Sequence, residues 1–282
     1  MQSEIILNSD GSIYHLHLKP ENVADTIITV GDPERVALVS SFFDKVDFKK
    51  ANREFHTHTG FYKNKRITVI STGIGTDNID IVLNELHLVR NFHLQKRHPK
   101  TKPTTLTILR MGTSGAISAH TEIDQVLLSR CAVGFDGLLS FYNFTNMEAL
   151  FPVKPFENLP APYVACAHAH LCKHFSNYFP LQGITATMPG FYAPQGRAAA
   201  LSPGTENMVE RLSHCKVNNR PVTNMEMETA GIYGLAHLLG HRALSLNALL
   251  ANRATGAFST QPERIVKEMI AKALEALVLL PS

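Results

Sequence analysis

Three arginines stand where the chain could grip a small anion. Arg35 sits just inside a helix start, Arg53 at the start of a strand, and Arg110 at a strand end before Gly112-Thr-Ser-Gly115. Arginine's planar fork meets phosphate oxygens two at a time, and each charge-assisted hydrogen bond is worth about 1.5–3 kcal/mol. Backbone N–H groups around Gly31 and Gly112–Gly115, with the hydroxyls of Thr113 and Ser114, would complete an anion nest. A lone arginine is ordinarily a solvated surface charge, but two of these three lie beside glycine turns. Carboxylates come from Asn224-Met-Glu-Met-Glu-Thr-Ala230. On a helix Glu226 and Glu228 point about 200° apart and cannot pair on one face. The segment then reads as a charged helix start favoured by the dipole. Alternatively, Glu228 accepts both hydroxyls of a ribose, a diol that an acceptor-only group matches well. In Gly190-Phe-Tyr-Ala-Pro-Gln-Gly-Arg197, Gln195 and Arg197 could match the carbonyl–NH–carbonyl edge of a pyrimidine, with Phe191 over the ring. Without that context it is a polar loop.

Two other patterns weaken on inspection. Cys166, His168, His170, Cys172 and His174 suggest zinc, yet on a helix only Cys166, His170 and His174 share a face. No second ligand pair at a zinc-finger spacing lies nearby, so no metal site is expected. Gly73-Ile-Gly75 begins a dinucleotide fingerprint, but Asn78 occupies the third glycine position, which argues against NAD.

The elements that must hold these residues alternate. Thr26–Val30 is a buried strand, and Asp32 caps a helix that has Pro33 in its first turn and runs to about Phe43. Strands are expected at 53–62 and 66–72, then a helix with Ile79, Val82, Leu83, Leu86 and Val89 on its apolar face. The segment 93–103 reads as a polar surface loop. Further strands are expected at 104–109, 126–133, 183–187 and 243–250, with helices at 163–175, 207–212, 226–239 and 263–280. No repeat or linker interrupts the chain. The order implies a single α/β domain, residues 1–282, with a central mixed β-sheet flanked by helices and its site in loops at strand ends.

Composition narrows the class. The chain has 282 residues, enough to bury about three quarters of its unfolded surface. It therefore needs neither disulfide nor metal to fold. Its four cysteines (Cys131, Cys166, Cys172, Cys215) read as reduced thiols of an intracellular protein. The first ten residues show no basic region followed by an apolar run, and no stretch approaches a membrane span. A cytoplasmic protein is expected. A net charge of +3, scattered, gives no reason to expect nucleic acid and suits small anionic ligands.

Eight segments, in order, resemble the nucleoside phosphorylase-I family, and its uridine phosphorylase branch most closely. They are Tyr14-His-Leu-His-Leu18, Gly31-Asp-Pro-Glu-Arg35, Arg53-Glu-Phe55, Ser71-Thr-Gly-Ile-Gly75, Arg110-Met-Gly-Thr-Ser-Gly-Ala-Ile117, Phe191-Tyr-Ala-Pro-Gln-Gly-Arg197, Asn224-Met-Glu-Met-Glu-Thr-Ala230 and Asn252-Arg253. The resemblance implies that Gly31, Arg35, Arg110 and Thr113 bind phosphate, with Arg53 reaching in from a neighbouring subunit. His15 of the same neighbour would contact the ribose 5′-hydroxyl, and Met227 and Glu228 would position the sugar. Phe191, Gln195 and Arg197 would hold uracil, leaving Arg110, Glu228 and Arg197 as the catalytic set. Inorganic phosphate is the co-substrate, with no metal, cofactor or covalent nucleophile. A homo-oligomer follows, with a dimer as the minimal active unit and hexamers also known in the family.

The chain departs from the pattern in places. Asn78 stands where uridine phosphorylases commonly carry a serine near an intersubunit monovalent-cation site, so that ion is not expected. Ala193-Pro194 and Gly196 are unusual in the base loop, 93–103 is long, and 135–155 is unfamiliar. Three other readings compete. Purine phosphorylases of the family use an aspartate near the purine N7, where this chain has Asn252-Arg253. Nucleosidases of the same fold lack the phosphate arginines present here. A non-catalytic nucleoside sensor would need no phosphate clamp.

Overall fold

The structure, a computed structural model, describes residues 3–144, 156, 157 and 159–281. Strand β1 (Thr26–Val30) is buried throughout because both faces of the sheet are covered: Ile27 packs on one side and Ile28 on the other. Asp32 accepts the Glu34 N–H at 2.8 Å and starts α1 (Pro33–Ser40). Then come β2 (Lys45–Asn52), β3 (Phe55–Tyr62), β4 (Lys65–Ser71) and α2 (Thr76–Asn91). The segment read as a polar loop is largely exposed and forms a small hairpin, β5 (Phe92–His93) and β6 (His98–Pro99). The chain continues through β7 (Thr107–Ala116), β8 (Val126–Gly134), β9 (Tyr163–Cys166), α3 (Ala169–Phe175) and β10 (Gln182–Thr187). It ends with α4 (Met208–Ser213), β11 (Lys216–Val217), β12 (Arg220–Glu226), α5 (Thr229–Leu238), β13 (Arg242–Asn252) and α6 (Pro262–Val278).

The main sheet is mixed and runs β11-β12-β10-β8-β13-β7-β1-β4-β3-β2, with β9 added beside β8. The end of β7 also pairs antiparallel with β12 (Asn224 opposite Ala116, Met225 opposite Gly115). This closes β7, β13, β8, β10 and β12 into a ring of strands, from which β1, β4, β3 and β2 extend as an open wing. Helices α2 and α5 bury Ile79, Val82, Leu83, Ile232 and Leu235 on one face; α1, α3 and α6 bury Val36, Phe175, Ile270 and Leu274 on the other. This is the expected architecture of one α/β domain with a mixed, helix-flanked sheet. No helix among the described residues is long and apolar enough to cross a membrane.

Four local expectations are corrected. Residues 163–175 are not one helix: Tyr163–Cys166 is a strand and only Ala169–Phe175 is helical. The Gly112–Gly115 segment is no turn but the continuation of β7. Glu226 ends β12 rather than opening a helix, so the helical argument against a Glu226–Glu228 pair does not apply. Finally, the cysteines are not all free thiols. Cys131 and Cys166 lie opposite each other on β8 and β9 and are joined by a disulfide, leaving Cys172 and Cys215 free. Of the unfamiliar 135–155 segment, residues 145–155 lie outside the described residues.

Candidate active site

Residues two apart on a strand share a face, so Arg110 follows Ile108 toward the side covered by α2 and α5. A cation is held there, only 5% exposed, because carboxylates and amide oxygens surround it. Its Nη2 donates to Glu228 Oε2 at 2.5 Å and lies 2.9 Å from Glu226 Oε2; its Nη1 donates to Asn247 Oδ1 at 2.7 Å. Gly112, next on the same face, makes the room. A Cβ there would stand 1.9 Å from Arg110 Nη1, so the guanidinium folds back across a position that only glycine leaves empty. Asn247 lies opposite Gly112 on β13, which brings its amide to the same fork.

The two carboxylates differ in spare capacity. Glu226 accepts from Thr187 Oγ1 at 2.7 Å and from the backbone N–H groups of Glu228 and Thr229 at the start of α5, in addition to facing Arg110. Its oxygens are committed to holding that turn. Glu228 accepts from Arg110 and from the Gly75 N–H at 2.9 Å, which leaves lone pairs for a ligand. Burial, with Glu226 adding to it, pushes the Glu228 carboxyl above the ordinary range against the pull of Arg110 and the Gly75 N–H. Burial opposes the Arg110 charge as well, but Glu226 and Glu228 prevail and raise it. Met227 lies half-buried between the two glutamates.

Other expected phosphate ligands gather at the same strand ends. Arg35, on the first turn of α1, has its charge disfavoured by burial, which Asp32 offsets only in part, and it lies within the fields of Arg110 and Glu228. Thr29 of β1 is in register with Arg110, which sets Gly31 just past the strand end, and Thr113 follows three residues along β7. Gly31 approaches the Gly73 carbonyl, bringing the β1 loop against the 72–75 loop. Gly75 has φ 97°, a conformation that favours glycine, and so aims its N–H at Glu228. Asp136 anchors the start of α2: it engages the Thr76 side chain and accepts from Tyr163 Oη at 2.9 Å.

Arg53 and His15 are brought together elsewhere. Arg53 is exposed in the β2–β3 turn, its guanidinium 5.9 Å from the Tyr14 ring centroid. The neighbouring Asn52 donates to the His15 carbonyl at 2.6 Å, and His15 Nδ1 lies 2.6 Å from Glu85. Among the described residues, the contacts of Arg53 and His15 are with Tyr14, Asn52 and Glu85 rather than with Arg110 or Glu228.

The base loop follows β10 and is tied to β12 by Met188 N–H donating to the Glu226 carbonyl. Arg197 Nη1 donates to Gln195 Oε1 at 2.7 Å and to the Phe191 carbonyl at 2.6 Å. Its guanidinium lies 3.6 Å from the centroid of the Phe191 ring, which is 52% exposed. That stack occupies one face of Phe191. Burial and then Arg253 push the Arg197 charge down to about 10. Arg253 Nη1 donates to the Gln195 carbonyl at 3.1 Å, its stem passing Gly115 of β7. So Gln195, Arg197 and Phe191 do form one group, joined by Arg253.

Sequence reading missed several members of the site. Arg253 was noted as part of a family segment and as the place where a purine aspartate is lacking, but was given no role, although it stands beside a turn as Arg35 does. Asn247 carried no signal, because nothing in a strand of small and apolar residues marks which one faces a buried arginine, and Gly75 was read only as a glycine of a motif, not as the N–H that meets Glu228. Inside the strand ring, a chain of buried groups visits every strand in turn. Asn247 Nδ2 donates to Ser129 Oγ at 3.0 Å, Ser129 pairs with Thr185 at 2.5 Å, Thr185 donates to Asn224 Oδ1 at 2.9 Å, and Asn224 Nδ2 donates to Ser114 Oγ at 2.9 Å. A buried polar network satisfied in this way fixes its members in place.

The sequence profile of the phosphorylase superfamily matches residues 25–279. The chain belongs to that superfamily. It is 33% identical over 274 residues to the uridine phosphorylase of Thermococcus kodakarensis, covering 96% of this chain and 87% of that protein. The DeoD-type purine nucleoside phosphorylase of Listeria welshimeri is 27% identical over 268 residues, or 94% of this chain and 98% of the relative. Among solved structures, a Trypanosoma brucei nucleoside phosphorylase, whose crystal structure shows uridine phosphorylase activity, superposes with a TM-score of 0.86. The two are 29% identical, covering 98% of this chain and 99% of that one. The resemblance read from the eight motifs is borne out, and with it an enzyme of the pentosyltransferase type.

Proposed function

We propose that this enzyme catalyses the reversible phosphorolysis of a pyrimidine nucleoside, converting uridine and phosphate to uracil and ribose 1-phosphate in nucleoside salvage in the cytoplasm. The observation that carries the reading is the buried Arg110 between Glu226 and Glu228, with Arg35 in the same field and the Gln195–Arg197 pair on an adjoining loop. Before substrates arrive, Glu228 serves as counter-charge to Arg110. A phosphate dianion held by Arg35, Arg110, Thr113 and the Gly31 N–H takes over that part, and the released carboxylate accepts the ribose hydroxyls, with Met227 against the sugar. A phosphate oxygen then forms the bond to C1′ while the C1′–N1 pair leaves with the base, through an oxocarbenium-like transition state. Gln195 and Arg197 donate to the uracil edge as negative charge collects there. Donors aimed at charge that exists only in the transition state raise the rate rather than merely tightening binding. For the base to stack on Phe191, it has to meet the ring beside or in place of the Arg197 guanidinium.

Arg53 and His15 act on the site of a second copy in this scheme, which makes a homodimer the smallest active unit. Their common placement around Tyr14 and Asn52 supports delivery as one surface. A purine reading is favoured only by the purine phosphorylase relatives; the Gln195–Arg197 pair favours a pyrimidine. Free-base release from uridine, thymidine, inosine, adenosine and cytidine, with and without phosphate, tests this. Phosphate-dependent uracil release is expected. Hypoxanthine or adenine would overturn the base assignment, release without phosphate would make the enzyme a nucleosidase, and no release would leave a sensor.

A further inference from the structure

A cavity apart from Arg110 and Glu228 lies between β8, the end of β9, α3 and the β11–β12 turn. It measures about 450 Å³, and the Cys131–Cys166 disulfide forms part of its wall. Arg130, Lys173 and Arg220 also line it, and no carboxylate does among the described lining residues. Arg130 spends one donor on the neutral Gln182, at 2.6 Å, so its charge is not cancelled there. The free thiol of Cys172 lies in the same wall, where burial holds it in the neutral form against Arg130 and Arg220. Three cations around a disulfide accessible from a cavity make a specific combination. The charges attract an anion, and they stabilise a thiolate, which is both the attacking and the leaving form in thiol–disulfide exchange.

We propose that this cavity binds a small anionic thiol and presents the Cys131–Cys166 bond to it for exchange. The incoming thiolate attacks the Sγ of Cys166, on the outermost strand of this part of the sheet. A new mixed disulfide forms, and the electron pair of the old bond leaves on the Sγ of Cys131, which takes a proton from solvent. A second thiolate then attacks the external sulfur of the mixed disulfide. Cys166 departs as thiolate, and the two small thiols leave as their own disulfide, so two thiols are oxidised for each bond reduced. Cys166 ends the strand that begins with Tyr163, the donor to Asp136, which in turn engages Thr76 at the start of α2. Exchange at the cavity therefore acts on an element tied to the active-site wall.

The test uses the oxidised, folded protein carrying Cys172→Ser, with intact-mass spectrometry following the mixed disulfide and the reduced product. Reduced glutathione, cysteamine and dithiothreitol serve as anionic, cationic and neutral probes at matched thiolate concentration. Glutathione is expected to react about tenfold faster than cysteamine at low salt, with the gap closing at high ionic strength. Lys173→Gln and Arg220→Gln, both at exposed positions, should each slow glutathione about threefold and leave dithiothreitol unchanged. Equal rates for the anionic and cationic thiols would overturn the proposal. So would charge variants without effect, a bond that opens only in denaturant, or a purified Cys172→Ser chain that keeps its three thiols free after mild oxidation.

Discussion

Replacing Glu228 by glutamine should move the two substrates in opposite directions. The carboxylate now spends one oxygen on Arg110, at 2.5 Å, and the other on the Gly75 N–H, at 2.9 Å. In the proposed cycle it leaves Arg110 for the ribose when phosphate enters. Glutamine keeps the shape and one carbonyl acceptor but brings no charge. The ribose then loses about one charge-assisted hydrogen bond, worth about 1.5–3 kcal/mol, or roughly a 10- to 150-fold fall in kcat/KM for uridine. Phosphate, by contrast, no longer competes with an anion for Arg110. Glu226 and Asn247 still hold the guanidinium in place. The KM for phosphate is therefore expected to fall, by about three- to tenfold if the lost competition is worth about 1 kcal/mol. Steady-state kinetics with each substrate varied in turn read both numbers. A phosphate KM that rises together with the loss on uridine would refute the exchange of Glu228 between Arg110 and sugar.

Other expectations follow from the same geometry. Gly112→Ala sets a Cβ 1.9 Å from Arg110 Nη1, so the guanidinium must leave its partners. Phosphorolysis should fall about 10²–10³-fold with an unchanged circular dichroism spectrum, whereas Gly31→Ala, whose nearest contact is at 3.5 Å, should be mild in comparison. Arg110→Ala strands two buried carboxylates and should cost about 3–5 kcal/mol of stability, visible as a lower Tm; Arg110→Lys separates that cost from the loss of rate. Arg197→Ala should raise the KM for uridine and relax discrimination between bases in a competition assay, leaving the phosphate KM near its starting value. His241 is an acid-sensitive group of the interior: burial, then His87, push it down to about 4, and its Nδ1 accepts from the Leu106 N–H. Its folded pKa is depressed below the unfolded value, so the neutral form's contribution is complete above about pH 6.5 and is lost as pH falls toward 4. That loss is about 3 kcal/mol. Tm against pH should slope less in this window for His241→Gln; equal slopes would exclude His241 as the cause.

Periodicity and caps made much of the fold legible. The helix carrying Ile79 to Val89 and the start set by Asp32 and Pro33 are local patterns, and the structure has them where the chain says. What escaped is non-local. β2 presents Lys45 and Lys49 at the sheet edge, and its two large apolar residues, Val46 and Phe48, are split by a bulge and pack on different clusters, so they leave little of a stripe to betray it. Gly112–Gly115 reads as a turn because glycine is rare in strands, yet here small residues leave space for the Arg110 guanidinium and for the stem of Arg253. Glu226 and Glu228 were set apart by assuming a helix; the strand end and the turn after it let both face one arginine. The Cys131–Cys166 bond spans 35 residues and depends on β9 pairing with β8, which no spacing announces. The candidate site residues were proposed by type and resemblance, and the contacts between them are visible only in the structure.

The direct pairing of β7 with β12 has a consequence for how the enzyme turns over. Arg110 is on one of these strands and Glu226 ends the other, with Glu228 just beyond. Since the strands are hydrogen-bonded neighbours within a closed ring, the backbone that carries the arginine and the carboxylates is one unit, and the proposed exchange of Glu228 between Arg110 and sugar would need only its side chain to move. The catalytic floor stays assembled through the cycle. In the proposed cycle, opening and closing would then fall to the segment after β10 that carries Phe191 and Arg197, and product release is expected to follow the tempo of that loop.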